Sequence, residues 1–571
     1  MVHGYHGAYL RIDLATGRAE RVALPDEVLA RFVGGVGLGT WICLVEGGAE
    51  AEPLAPEAPV VYALSPLVGT PLTTSAKFAI VARSPLTGFL SDAISSSHFA
   101  IAAKRAGYDA YVIKGRAASL SRLIVDGDLV RLVDAPELEG KPSAECGLEG
   151  FCTSAIGPAG EKLVRFATVT NDGRHAGRGG LGASLGAKNL KAFSIRGDLR
   201  TEVDDPQGVI EEARRLSELS LGPATAKYRE LGTISNLLIF NRLDALPTHN
   251  FRDSTFEGAP ELAAEALHEF HAVGRKSCAS CTIGCEHVFR TKPGRSVRLE
   301  YETLFALGSL LGIQDREDVL ATAELCDRVG LDTISTGGTL AFAMEAGYGG
   351  LSFGDSERVL EMIEAIAARE GPGDALAEGS RKAAEVLGRT ELAMHVKGLE
   401  IPGYDPRSLQ AMALGFAVGT RGADHNRSGA YELDFSNDVD RNHFDPVHAA
   451  KVVEVENRTA AVDSLILCKF LRGVFEDFDA EGSRLLRLVT GLEIDLPALG
   501  ARVCSLRKIF NERCGWQRED DGLPGRLLEG ELSPEKLEAM IATYYQARGW
   551  TSEGTVSPAT ALELELGDLL T

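Results

Sequence analysis

DDPQGVIEEARRLSELSL (204–221) is where the texture of this chain changes. From Pro206 to Leu221 the apolar residues recur at helical spacing. Upstream the pattern is different. Short apolar, β-branched runs at 8–14, 60–65, 78–82, 110–114, 123–125, 129–133 and 166–169 are punctuated by Gly, Asp, Asn and Pro. Asp126-Gly127-Asp128 between two of them reads as a hairpin turn. Downstream, helical periodicity returns at 316–329, 356–369, 374–387, 446–462, 481–489 and 496–510. Asp315 and Gly330 stand where a cap and a stop belong, and Ser533-Pro534-Glu535 opens a last helix whose apolar face is Leu537, Met540, Ile541, Tyr544 and Tyr545. The expected class is α+β: a β-rich N-terminal domain (1–200) followed by two mainly α-helical domains (201–397 and 398–571). The second boundary rests on the turn-rich stretch 398–406.

The bulk numbers fit a multi-domain globular protein. The chain has 571 residues, 44% hydrophobic and 25% charged, so disorder is excluded and about three or four domains are expected. Lys+Arg number 59 against Asp+Glu 81, a net charge of -22, which argues against nucleic acid and against an anionic membrane as partners. No apolar run has the length of a signal peptide or a membrane helix, so a cytoplasmic location is expected. Ten cysteines in a reduced compartment point to metal or catalysis rather than disulfides.

Cys278-Ala-Ser-Cys281-Thr-Ile-Gly-Cys285 places three thiols within reach of one metal centre. An iron–sulfur cluster suits the spacing better than zinc, because no second Cys pair or His pair follows. Spacing does not choose the fourth ligand among Cys43, Cys146, Cys152, Cys326, Cys468, Cys504 and Cys514. Two further stretches share the pattern D-x-x-x-L: Asp327–Asp332 and Asp463–Cys468. Taken singly they read as helix ends. As a pair they could cradle a cofactor with two equivalent halves. The glycine-rich run 171–186 lacks the Lys-Ser/Thr of a P-loop, but its backbone N–H groups with Arg174 and Arg178 suit an anion.

In this order these features resemble the tungsten-dependent aldehyde:ferredoxin oxidoreductase family. The likeness runs through GAYLRIDLATG (7–17), RSPLTGF (83–89), AGYDAYVIKG (106–115), AIGPAGEKLVRFA (155–167), NDGRHAGRGGLGASLGAKNLKA (171–192), GLDTISTGGTLA (330–341) and YYQARGWTSEG (544–554). The resemblance implies a β-rich domain seating a tungsten (or molybdenum) bis-pyranopterin, capped by the helical domains, with one [4Fe-4S] cluster alongside. It implies Cys278, Cys281, Cys285 and Cys468 as cluster ligands. Asp327, Leu331 and Asp332 would hold one pterin, and Asp463 and Leu467 the other. Lys77, Ser96, Arg174, His175, Ala176, Gly177, Arg178, Gly179 and Arg427 would meet the pterins or their phosphates, which a magnesium ion bridges. Glu302 and His425 match the family's proton-handling pair. The substrate would be an aldehyde or carboxylic acid, the electron partner ferredoxin or an iron–sulfur subunit, and the assembly a homodimer.

Departures from the family pattern cluster near the pterins. Lys77 replaces an arginine, Ile94 an asparagine, Ser96 a glycine and Ile466 the glycine of the second D-x-x-G-L-C motif. Ala321 replaces a glutamate that binds a subunit-bridging iron, and the glycine loop is one residue short. A relay that keeps the cluster but has lost the pterin, and a relative that reduces an acyl thioester, are the alternatives. Arg275, Lys276 and Arg290 near Cys278 are the candidate dock for an acidic carrier.

Overall fold

A computed structural model describes residues 2–570. Two six-stranded sheets form the N-terminal part. The first runs, in spatial order, Arg18–Ala23, Ala8–Asp13, Ala110–Lys114, Val60–Ala63, Lys77–Arg83, Leu90–Ser96. The second runs Arg174–Ala176, Val169–Asn171, Cys152–Ile156, Leu190–Arg196, Ser121–Asp126, Leu129–Asp134. The expected hairpin is present: Asp126 pairs with Leu129 across a two-residue turn in which Gly127 takes φ 57°.

Alternation along one strand explains the layering. In Lys77–Arg83, Phe78, Ile80 and Ala82 join the core between the sheets, while Ala79 and Val81 join the core beneath the helices. The inter-sheet core is aromatic at its centre. Phe193 meets Tyr62, Phe99 and Tyr111 edge-on, at ring-centroid separations of 5.4, 5.2 and 5.6 Å. On the opposite face lies the helix Gly35–Val45, whose glycines permit close approach. A Cβ on Gly39 would stand 2.8 Å from Val81.

The remainder is mainly helical. Asp205 caps Pro206–Leu219, Asp315 caps Arg316–Val329, and Ser533 caps Pro534–Arg548. Gly330 and Gly549 close the last two in the left-handed conformation. Several expectations need correction. The single helix expected at 374–387 is two, Pro372–Leu376 and Ser380–Leu387, because Gly379 takes φ 87° and Ser380 N donates to Glu400. The strand expected at 166–169 begins only at Val169, since Ala167 N turns back to Val164 O and Ala167 bridges Leu331. The helix expected at 446–462 starts with a 3₁₀ turn and continues to Leu465, with Ile466 in the left-handed cap. Both Asp327 and Asp463 therefore lie inside the last helical turn rather than after it. A small sheet, Ala272–Lys276, Glu286–Arg290 and Ser296–Arg298, flanks the cysteine segment. Both helical segments contribute to one continuous apolar core. Among the described residues no helix is long and apolar enough to cross a membrane.

Candidate functional site

A cavity of about 840 Å³ lies where the strand ends of the first sheet face the helices. Seventeen of the twenty sequence-predicted site residues line it: Lys77, Ser96, Arg174, His175, Gly177, Arg178, Cys278, Cys285, Glu302, Asp327, Leu331, Asp332, His425, Arg427, Asp463, Leu467 and Cys468. Cys281, like Cys285, packs against the adjoining apolar core. Ala176 and Gly179 are not cavity residues. The Ala176 side chain points into the base core, and Gly179 is pressed against Ser91 with its carbonyl held by Ser84 Oγ at 2.8 Å.

The four cysteines come from two segments that the base ties together. Thr74 N donates to Ser280 O at 2.6 Å, Thr282 N donates to Thr73 Oγ1 at 3.1 Å, and Cys468 N donates to Thr74 Oγ1 at 3.2 Å. Lys77 sits among the four thiols. Burial alone would lower its pKa, but Cys468, Cys278, Cys281 and Cys285 hold it above the usual value. Burial raises the Cys281 and Cys285 thiols. A positively charged centre would be needed to keep them as thiolates. All ten cysteines are free. No three His, Cys, Asp or Glu among the described residues converge closely enough for a single ion. A four-iron cluster sets one thiolate on each iron and spreads its ligands more widely.

The two D-x-x-x-L segments are equivalent in geometry. Each aspartate is in a final helical turn, each Leu follows a left-handed cap, and that cap is Gly330 in one and Ile466 (φ 61°) in the other. Around them is a dense ionic lattice. His175 Nε2 lies 3.2 Å from Asp327, and Arg178 Nε lies 3.4 Å from Asp332. Arg427 Nε bonds Asp92, while its Nη1 lies 3.1 Å from Asp463 Oδ2 in ion-pair contact, misaligned for a hydrogen bond. Asp424 caps the short helix His425–Ser428 and pairs with Arg421 at 3.2 Å. Burial opposes its ionisation, but Arg421, Arg427 and Arg178 overcome this and hold the carboxyl far below its ordinary pKa.

Polar atoms in and beside this lattice are buried without a hydrogen bond, although several stand in longer ion-pair contact: Arg421 Nε, Arg507 Nε and Nη2, Asp463 Oδ2, Lys469 Nζ, Ser335 Oγ, Glu302 Oε1 and His425 Nδ1. Each such atom costs about 1–3 kcal/mol if nothing meets it. A bound polar group rich in both acceptors and donors would satisfy them, which is what a phosphorylated pterin offers. Glu302 and His425 face one another, Oε1 to Nδ1 at 3.6 Å. Burial pushes the Glu302 carboxyl up to about 8, against the Gly403 N–H at 3.0 Å and the charge of Arg178. Burial pulls the His425 imidazole down to about 3, with Asp424 opposing.

The comparisons with known proteins fit this arrangement. The family model described as "Aldehyde ferredoxin oxidoreductase, N-terminal domain" matches residues 9–197, and "Aldehyde ferredoxin oxidoreductase, domains 2 & 3" matches 210–566. The chain belongs to the aldehyde ferredoxin oxidoreductase family. It is 35% identical to the tungsten-containing aldehyde ferredoxin oxidoreductase of Pyrococcus furiosus, covering 99% of each chain. It is 33% identical to that of Thermococcus kodakarensis, covering both chains fully. A Pyrococcus furiosus protein named aliphatic sulfonate oxidoreductase, WOR-like subunit, is 28% identical over 99% of this chain and 98% of its own. The BamBC active-site complex of benzoyl coenzyme A reductase, solved with 1,5-dienoyl-CoA, shares the fold. Its TM-score is 0.87 at 22% identity, covering 100% of this chain and 98% of that one. The names of these similar proteins carry different substrates.

Sequence reasoning missed Asp92, Arg421, Asp424 and Lys469. An acid inside the buried strand Leu90–Ser96 and the charge density of 421–427 were signals for the first three. Lys469 carried only its position beside Cys468.

Proposed function

We propose that this chain is a tungsten (or molybdenum) bis-pterin oxidoreductase interconverting aldehydes and carboxylic acids. In the oxidative direction an aldehyde and water give a carboxylic acid, two protons and two electrons, and two one-electron carriers such as ferredoxin each take one electron. Asp327, Leu331 and Asp332 would hold one pterin, and Asp463 and Leu467 the other. Lys77, Ser96, Arg174, His175, Gly177, Arg178 and Arg427 would meet the phosphates and rings. Cys278, Cys281, Cys285 and Cys468 would hold a [4Fe-4S] cluster. When bound, these groups supply two-electron redox chemistry, Lewis acidity and one-electron exit.

The observation that carries the reading is the Glu302–His425 pair, buried and with unfilled bonding capacity on a cavity lined by the cofactor motifs. Burial favours the uncharged form of both. With Nδ1 turned to the Glu302 carboxyl as acceptor, the His425 proton resides on Nε2, where it can polarise a carbonyl oxygen. Glu302 as carboxylate takes a proton from the attacking water, and as acid it returns one in the reverse reaction. The acceptor would dock beside the cysteines, on the exposed edge strand Ala272–Lys276.

Elemental analysis tests the cofactor assignment, on protein expressed with tungstate in a pterin-making host. Tungsten or molybdenum with about four irons per chain is the expected result. Iron without either metal would instead favour the relay that has lost its pterin, and zinc alone would overturn both.

A further inference from the structure

The glycine-rich run sends its charged side chains to two destinations. Arg178 bonds Glu400 O and Ala423 O at 2.6 and 2.7 Å and lies 3.4 Å from Asp332. His175 lies 3.2 Å from Asp327. Both therefore meet the first D-x-x-x-L motif. Arg174 precedes His175 on the strand Arg174–Ala176, and successive strand residues point to opposite faces. Its guanidinium goes instead to Glu286, where Nη2 bonds Oε2.

Glu286 stands at the foot of the cysteine loop. It pairs with Lys276 across the hairpin of Ala272–Lys276 and Glu286–Arg290, so Cys278, Cys281 and Cys285 all lie in the loop that this pair closes. Glu286 directly follows Cys285 and is only 4% exposed. Arg298 holds its other oxygen, Nε to Oε1 at 3.0 Å. Two guanidiniums thus share one carboxylate, which leaves positive charge unmatched beside the cysteines. Glu300, a further acid lining the cavity, is met by the Thr233 hydroxyl, and burial raises its carboxyl pKa, which limits the charge it returns.

The Arg174 guanidinium makes no other hydrogen bond to a described residue, and it lines the cavity together with Cys278 and Cys285. Burial opposes its charge, but Cys278, Glu286, Glu300 and Cys285 outweigh burial and hold its pKa above the ordinary value. Lys77, on a strand of the first sheet, sits among the same thiols. Each sheet therefore contributes one cation to the cysteine set.

We propose that Arg174 belongs to the cluster site, where with Lys77 it supplies the positive charge that favours the reduced form of the iron centre held by Cys278, Cys281, Cys285 and Cys468. This rests on the [4Fe-4S] reading above and moves Arg174 from the phosphate contacts to the cluster. The ammonium of Lys77 lacks a planar fork of donors, and Arg174 brings one to the cysteines. Reduction adds an electron, so a fixed positive charge close by raises the potential of the centre.

The test is a potentiometric titration of the cofactor-loaded enzyme, followed by electron paramagnetic resonance of the reduced cluster. Poised at the wild-type midpoint, Arg174→Gln should lower the ratio of reduced to oxidised cluster about tenfold, equivalent to about 59 mV. Tungsten or molybdenum and about four irons per chain should be retained. The shift should be equal at about pH 6 and about pH 9, because a guanidinium does not titrate between them. Arg174→Lys keeps the charge and should stay within about twofold of the wild-type ratio. If Arg174→Gln assembles no cluster, Arg174→Lys decides. A wild-type potential there supports the proposal, and a tenfold fall, or no cluster even with the charge kept, would overturn it. An unmoved potential in Arg174→Gln, with or without loss of tungsten, would return Arg174 to the pterin phosphates. Absence of a four-iron signal from the wild-type protein would instead overturn the underlying cluster reading.

Discussion

Glu302 owes its behaviour to neighbours on its own helix and on four other segments. Gly403 N donates to it, Arg178 favours its ionisation, Asp424 and Asp332 disfavour it, and buried Tyr301 and Tyr404 exclude water around it. Its carboxyl is pushed up to about 8, so the carboxylate fraction rises about tenfold per pH unit below that value and levels off above it. Aldehyde oxidation, which needs the carboxylate, should therefore climb with pH and plateau above about 8. Acid reduction, which needs the protonated form, should fall over the same range. Glu302→Gln should retain metal content, lose about 10²-fold or more in turnover and flatten the profile. An unchanged profile would remove Glu302 from proton transfer. The residue and its role could be named from its motif, but its protonation state could not, because that is set by burial among groups up to 124 positions away in the chain (Arg178).

At the scale of elements, helix Gly35–Val45 shows how the site is seated. Gly35 takes φ 46°, and a Cβ there would overlap the Asp463 carbonyl and crowd Ile466. The second D-x-x-x-L motif thus rests directly on this helix. Its left-handed cap is an isoleucine, a costly conformation for a β-branched side chain, but Ile466 is fully buried and its packing offsets the strain. Gly35→Ala should destabilise the protein by about 3 kcal/mol or more. Gly17→Ala also lies at positive φ (67°) but in open space, and should cost only about 1 kcal/mol of strain. Comparing their thermal midpoints isolates the clash, and equal losses would show that Gly35 is needed only for its backbone angle. Helices with capping residues were legible because capping is local: Asp315 with Gly330, and Ser533 with Gly549, mark their ends within one turn. Gly35–Val45 was not, because nearly all of it is buried and so no polar face breaks the run. The edge strand Arg174–Ala176 was hidden in a glycine-rich loop for a different reason: only pairing with Val169–Asn171 makes it a strand.

For the whole molecule, a net charge of -22 would repel the acidic electron carrier proposed above unless a local basic patch receives it. The edge strand Ala272–Lys276 is exposed along its length and ends two residues before Cys278. Arg275 and Lys276 lie on it, and Arg290 is exposed at the end of the adjoining strand. The double change Arg275→Glu and Lys276→Glu should raise KM for an acidic ferredoxin about tenfold at low salt, leave the viologen rate unchanged, and lose its effect as salt rises. An unaltered KM would place the dock elsewhere. The amino-acid sequence by itself determined the order of a β-rich base and helices, the cysteine run and the paired aspartate motifs. These are encoded in short-range periodicity, capping and spacing. Only the tertiary structure brought Cys468 beside the cysteine run, buried Glu302 against His425, and set aromatic rings from distant segments around them. Such contacts arise where distant segments are packed together out of water, and local backbone preferences do not specify them.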